Sequence, residues 1–175
     1  MNLPDYFSFY NMDPALFLDE KTLRQAYLSK SRQSHPDFFA QTSLQEQENA
    51  LDIATYNNRA YQTLSNFDKR LQYILEINGW ISENERYELP PAFLMEMMDI
   101  NEAINDAKSK EDLLPIEQQI SILESDLNGQ ISQEYPSWGS LNPENEGAKK
   151  KLKEFYYKMR YLLRIQKILR TFAPS

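Results

Sequence analysis

The sequence predicts an all-α protein built from two helical units. Three observations lead there. Apolar residues recur at three- and four-residue spacing along most of the chain, and no segment alternates convincingly as a strand would. Punctuation is sparse, with four glycines and nine prolines in 175 residues, the prolines falling between the periodic segments.

A short first helix is expected over Asp5 to Tyr10, ending before Asn11 and Pro14. The second starts after Asp19, a good N-cap, and runs to about Ser34, with Leu23, Ala26 and Tyr27 as its apolar face. The third runs from Ser43 to Ser65; Ala50, Ile53, Ala54, Asn57, Ala60, Tyr61 and Leu64 share one face. A fourth follows Asn66, carries Leu71, Ile74 and Leu75, and stops at Gly79. The polar, acidic stretch Trp80 to Leu89 reads as a linker. Pro90 and Pro91 open a fifth helix that reaches about Ala107. A sixth segment, Ser109 to Glu134, is started or interrupted by Pro115 and carries Ile116, Ile120, Leu123 and Leu127. A loop from Tyr135 to Asn142, with Pro136, Trp138 and Gly139, precedes a long last helix that Asn142 would cap with Pro143 at its first position. Glu144 and Glu146 at its start, and Lys167 and Arg170 near its end, complement the helix dipole. The expected organisation is residues 1–78 as one unit, 79–89 as linker, and 90–175 as a three-helix bundle.

Composition narrows the function. A hydrophobic content of 41% supports a packed core. The 19 basic and 26 acidic residues give a formal charge of −7, which argues against a nucleic-acid binder; Lys149-Lys150-Lys151 is too short to reverse that. With no cysteine and one histidine, thiol chemistry, disulfides and His- or Cys-rich metal sites are excluded, and no cofactor is expected. No stretch approaches the ~18 consecutive apolar residues of a membrane span, and neither a signal-peptide core nor an Arg-rich leader is visible. A cytoplasmic protein is the expectation.

The distinctive chemistry lies between the second and third helices, at Ser34-His35-Pro36-Asp37-Phe38. Pro36 fixes its own φ and restricts His35 to extended geometry, so the turn is stiff. An ionised Asp37 is an acceptor suited to a charge-assisted bond with a partner's arginine. A purely local turn is the alternative, and a catalytic His–Asp pair a further one, although no second histidine or cysteine is present to complete it. On a 100° wheel, Lys21, Arg24, Leu28 and Arg32 share the face opposite Leu23, Ala26 and Tyr27, either as a binding stripe or as an ordinary solvated face. His35-Pro36-Asp37, placed between an amphipathic helix and a long one within the first forty residues, resembles the HPD motif of J domains. The resemblance implies that Asp37 engages an arginine on the nucleotide-binding domain of a DnaK-like chaperone. It also implies that His35, Pro36, Lys21, Arg24, Tyr27 and Arg32 belong to that contact. Ser34 stands where J domains usually have an aromatic, Phe38 where lysine is frequent, and Lys30 where an apolar residue is common.

The fifth helix carries a second signal. Phe93, Met97, Ile100, Ala103, Ile104 and Ala107 form one face, sufficient for a core. Leu94 and Met98 fall away from it, beside Asn101, Glu102 and Asn105, with Met95 near Asp99 and Asp106. Apolar side chains set in an acidic face suit a protein-binding patch, and methionine suits adaptable contacts. Phe93-Leu94-Met95-Glu96 and the residues to Asp106 are similar to the corresponding helix of the HscB family, the J-type iron–sulfur co-chaperones. That family joins an N-terminal J domain to a C-terminal three-helix bundle in an L shape. The resemblance covers nearly the whole chain. It implies that the protein stimulates the ATPase of a DnaK/HscA-type chaperone, performs no catalysis itself, and delivers an IscU-like cluster scaffold protein. The implied scaffold anchors are Leu94, Met98 and Phe155, supported by Met95, Asp99, Glu102 and Asp106; Phe155 rests on the match of Phe155 to Arg160 with the family's last helix. Leu152, Tyr156, Met159 and Leu163 read as a core stripe that Phe155 borders. A J-domain adaptor for a different client is the alternative, and a small enzyme using His35 with a carboxylate is a third reading, which an enclosed cleft around His35 would favour.

Overall fold

The computed structural model describes residues 3–82, 85–134 and 145–172, and of Pro36 only the backbone. Within these residues the regular structure is entirely helical, and the chain divides into two compact units, Met1–Gly79 and Trp80–Ser175.

In the first unit, helix boundaries follow the caps. α1 (Tyr6–Phe9) starts where the Asp5 carboxylate accepts the N–H groups of Phe7 and Ser8. α2 (Glu20–Gln33) is capped by Asp19 on the Thr22 N–H. α4 (Leu44–Leu64) begins with a full capping box, in which Ser43 and Glu46 exchange side-chain and backbone bonds. α5 (Phe67–Ile77) starts at Asn66 and ends before Gly79, whose φ of 65° is the left-handed conformation glycine adopts without steric penalty. The segment read as a plain loop between α2 and α4 holds a single helical turn, α3 (Pro36–Phe39). Four residues are too few for periodicity to reveal.

Apolar burial drives the unit together. Phe7, Leu16, Leu23, Ala60, Leu64, Leu71, Ile74 and Leu75 are all essentially inaccessible, each of the larger ones contributing about 1.5–3 kcal/mol relative to exposure. Two polar groups share this interior. Arg70 donates from Nε to the Leu16 carbonyl at 2.8 Å and also to the Leu64 carbonyl, tying the 11–19 loop to the end of α4. Asn57 donates to the Tyr27 carbonyl at 3.1 Å and to Ser31 Oγ at 2.9 Å, while its Oδ1 accepts from the Tyr10 hydroxyl at 2.8 Å. Tyr27 also stacks on Tyr61, with ring centroids 4.4 Å apart. Positions 27 and 31 thus meet 61 and 57 in reverse order, so α2 and α4 run antiparallel.

The second unit contains α6 (Pro91–Asp106), a 3₁₀ turn (Glu111–Leu113), α7 (Leu114–Glu134) and α8 (Glu146–Arg170). Pro91 opens α6 and Pro115 lies in the first turn of α7, so Pro115 starts that helix rather than interrupting it. α8 is capped by Asn145, whose side chain accepts the Ala148 N–H; Asn142, Pro143, Glu144 and the expected 135–142 loop lie outside the described residues. Gln166 bonds Glu124 at 2.7 Å and Lys151 pairs with Glu134 at 2.6 Å, which sets α7 and α8 antiparallel. Phe93 meets Tyr161 edge-on, joining α6 to α8.

The predicted α6 core face is buried at Phe93, Met97, Ile100 and Ile104, whereas Ala103 is exposed. On α8 the buried stripe is Leu152, Phe155, Tyr156, Met159, Leu162, Ile165 and Leu169; Leu163, expected inside, is exposed. The seam steps by three as well as four residues. α8 packs against both α6 and α7, so its apolar band is wider than the single row that periodicity suggests. The acidic stretch expected to be a linker is fastened to its own unit: Glu85 pairs with Lys153, and Tyr87 stacks on Tyr157 at 4.7 Å with planes 6° apart.

Candidate functional site

The tip between α2 and α4 is built by backbone logic. α2 ends at Ser34, whose N–H and hydroxyl both bond the Lys30 carbonyl, at 3.1 and 3.0 Å. Ser34 is buried, and a hollow of about 170 Å³ lies beside it, lined by Phe39, Ala50 and Ile53 among others. His35 is extended (φ −67°, ψ 129°), as a residue before proline should be, and caps α3. Its Nδ1 accepts the Asp37 N–H at 3.3 Å, and its carbonyl accepts the Phe38 N–H at 3.0 Å. The side chain of Asp37 is 86% exposed and that of His35 54% exposed. The aspartate therefore projects from a convex, internally bonded turn. Nothing there resembles an enclosed cleft, which removes the support the small-enzyme reading needs.

The basic stripe is present as expected. Lys21, Arg24, Leu28 and Arg32 are exposed on the outer face of α2, with Leu23 buried on the other. Tyr27 is half-buried against Tyr61 and donates to Asn58 Oδ1 at 3.0 Å, so it braces the stripe from behind more than it extends it. Lys30, at a position where an apolar residue is common, lays its ammonium 4.8 Å from the centre of the Phe9 ring. That cation–π contact lets a lysine occupy a half-buried place.

On α6, Leu94, Met95 and Met98 are exposed at 38%, 66% and 68%, and Asp99, Glu102 and Asp106 are exposed on the same helix. Apolar side chains and carboxylates thus share solvent-facing positions, a combination that stability does not require. Phe155 is only 3% exposed, within the buried α8 stripe, and lines a hollow of about 220 Å³ together with Leu127, Ile131 and Lys158. Asn57, which holds α2 to α4, and Arg70, which ties the 11–19 loop to the end of α4, escaped notice as determinants. Asn57 carried one signal, a lone amide within an otherwise apolar helical face.

An antiparallel helix pair that offers an exposed aspartate at its tip, followed by an α-helical unit, defines a J domain joined to a C-terminal helical domain. A family model described as the HSCB C-terminal oligomerisation domain matches residues 89–170. The mouse iron–sulfur cluster co-chaperone protein HscB is 32% identical over 163 residues, which cover 93% of this chain and 66% of the mouse protein. A co-chaperone protein HscB homolog of Neisseria meningitidis is 33% identical over 112 residues, covering 63% of this chain and 68% of its own. The crystal structure of human co-chaperone protein HscB matches with a TM-score of 0.77 at 29% identity, across 95% of this chain and 81% of that one. The chain belongs to the HscB family. It spans slightly less than two thirds of the mouse relative's length.

Proposed function

We propose that this protein is a J-type co-chaperone that switches on the ATPase of a DnaK/HscA-type chaperone and presents to it an iron–sulfur cluster scaffold protein of the IscU type. The observation that carries the reading is the Asp37 carboxylate, 86% exposed on a turn whose backbone is already satisfied by His35. It is free to accept an arginine's paired N–H donors, and such charge-assisted bonds contribute about 1.5–3 kcal/mol each. Lys21, Arg24 and Arg32 extend the contact along α2 and would steer an acidic partner surface, an effect that fades with salt. His35 and Pro36 shape the turn, and Tyr27 holds α2 against α4. The chain performs no chemistry in this scheme; the gain in rate belongs to the chaperone.

The second face is on α6. Leu94 and Met98 are the anchors and Met95 an adaptable neighbour, with Asp99, Glu102 and Asp106 as an acidic surround. Phe155 takes part in this reading only through the edge that lines the hollow beside α7. The decisive experiment is ATP turnover by the cognate chaperone with wild-type protein and with Asp37→Asn. Loss of nearly all stimulation is expected, since the amide offers one acceptor and no charge; undiminished stimulation by the variant would remove the reading. A chaperone-binding adaptor for another client would pass this test and fail a direct binding measurement with the scaffold.

A further inference from the structure

The apolar anchors of α6 border a neighbouring helix. Leu94, Met98, Asn101 and Asn105 follow one another at four- and three-residue steps and make one ridge of α6, while Tyr161, Arg164 and Ile168 make a ridge of α8. The two ridges meet at Tyr161. Its hydroxyl accepts from the Asn101 amide at 3.4 Å, and its ring meets the buried Phe93 edge-on at 6.0 Å. Asn101 and Tyr161 are half-buried at this seam, whereas Arg164 and Ile168 beyond it are exposed. Solvent therefore meets one surface, with apolar groups of both helices on either side of a polar seam.

The cations of α8 are not alike. Lys149, Lys151, Lys153 and Lys158 each pair with a carboxylate, and Arg160 donates to the Tyr156 hydroxyl at 3.2 Å. Arg164 makes no ion pair among the described residues, and its guanidinium lies over Tyr161, 4.3 Å from the ring centre. Stacking holds the planar fork in place without consuming its N–H donors, because the attraction acts through the ring face. Lys150, Lys167 and Arg170 are exposed and stack on no ring of the described residues. Arg164 is thus a pre-positioned donor set at the edge of an apolar surface whose opposite margin, on α6, carries Asp99 and Glu102.

We infer that Tyr161, Arg164 and Ile168 extend the scaffold-docking face from α6 onto α8, and that Arg164 takes a carboxylate of the docking segment. The occupant is the scaffold protein because this surface is continuous with Leu94 and Met98, so the step rests on the co-chaperone reading above. The segment that fits is amphipathic, with an apolar strip between a carboxylate for Arg164 and a cation for Asp99 and Glu102. Opposite charges on the two margins fix the direction in which that segment lies, since reversing it would set like charges together.

Calorimetric titration of the full chain with the cognate scaffold protein tests this. Arg164→Gln should weaken binding about fivefold and Arg164→Glu at least about tenfold, as the loss and then the reversal of a charge-assisted bond require. Arg170→Glu makes the same charge change on the side of α8 that lines a hollow with Glu117 and Ile120 of α7, and should stay within about twofold. Unfolding midpoints of the Arg164 variants should remain within about 4 °C of wild type, so that a loss of affinity is not a loss of fold. Unchanged scaffold affinity in Arg164→Glu overturns the inference. Equal weakening by Arg164→Glu and Arg170→Glu overturns it too, since that reports overall charge. Self-association of the free chain that Arg164→Glu abolishes, with scaffold affinity intact, would assign the surface to a second copy instead. Leu94→Ala with Met98→Ala keeps the two readings apart. Full affinity in that pair removes the α6 reading, whereas loss of affinity there but not in Arg164→Glu removes only the extension onto α8. A wild-type chain that does not bind the scaffold removes both.

Discussion

Replacing Asn57 with alanine tests how the tip is held in place. The side chain is 1% exposed and makes three hydrogen bonds, to the Tyr10 hydroxyl, the Tyr27 carbonyl and Ser31 Oγ. Each such bond contributes about 0.5–1.5 kcal/mol net, and the void left behind adds to the loss, giving about 2–4 kcal/mol. The Tyr10 hydroxyl keeps the Asn57 carbonyl at 2.9 Å, so that hydroxyl is not orphaned by the substitution. For a unit of this size the loss corresponds to a fall of about 10–25 °C in Tm. Because the chain has two units, a single global transition is not assured, so the assay is residue-resolved amide exchange across α2, α4 and α5, with α7 and α8 as internal reference. Protection in the first unit should drop by the stated free energy while the second is unchanged. Tyr10→Phe should cost about 1 kcal/mol less in the Asn57→Ala background than in wild type, because the pair shares a bond. A loss below about 1 kcal/mol, or strictly additive variants, would show that the amide is not what pins α2 to α4.

The paired substitution Leu94→Ala, Met98→Ala should leave the unfolding midpoint within about 1 °C, since both side chains face solvent, yet reduce scaffold affinity at least tenfold by calorimetry. Phe155→Ala should do the reverse in order of cause, costing about 3–5 kcal/mol of stability in denaturant before any effect on binding. Burial pushes the Tyr73 hydroxyl up to about 12. The unfolded chain ionises first, near the ordinary value of 10.0, so the first unit should lose stability as pH rises from 10 to about 12. Tm measured against pH should fall less steeply for Tyr73→Phe, with a residual slope from Tyr10, which is shifted in the same direction by burial.

Local rules made most of the helices legible. Asp19, Ser43 with Glu46, Asn66, Pro91 and Gly79 each satisfy or break backbone bonds within a turn of their own position, so their effect is written nearby in the sequence. α3 was not legible, being shorter than the window in which a period can be recognised. Nor was the fastening of the 85–87 stretch: Glu85 and Tyr87 look like solvent-loving linker residues until Lys153 and Tyr157, some seventy positions later, are brought beside them. The error over Leu163 has a related cause, for a helix with two neighbours buries a band whose edges depend on where each neighbour lies. The exposed positions of the candidate site are of another kind. Asp37, the cations of α2, and Met95 and Met98 of α6 stand out because burial does not explain them, and that contrast is visible before any coordinates exist.

The buried bonds of Asn57 have a consequence for how the hairpin can vary. They lie away from the tip and belong to the interior, whereas the hydrogen bonds at the tip run to near neighbours: Ser34 to Lys30, Asp37 to His35, Ser43 to Glu46. Folding free energy and partner geometry are thereby housed in different stretches of the same two helices. Residues 40–42 could be lengthened or exchanged with little penalty to the core, while sliding α2 by a single turn, about 5.4 Å, would strand the amide of Asn57 without its partners. The hairpin tolerates editing at its end and resists it along its length.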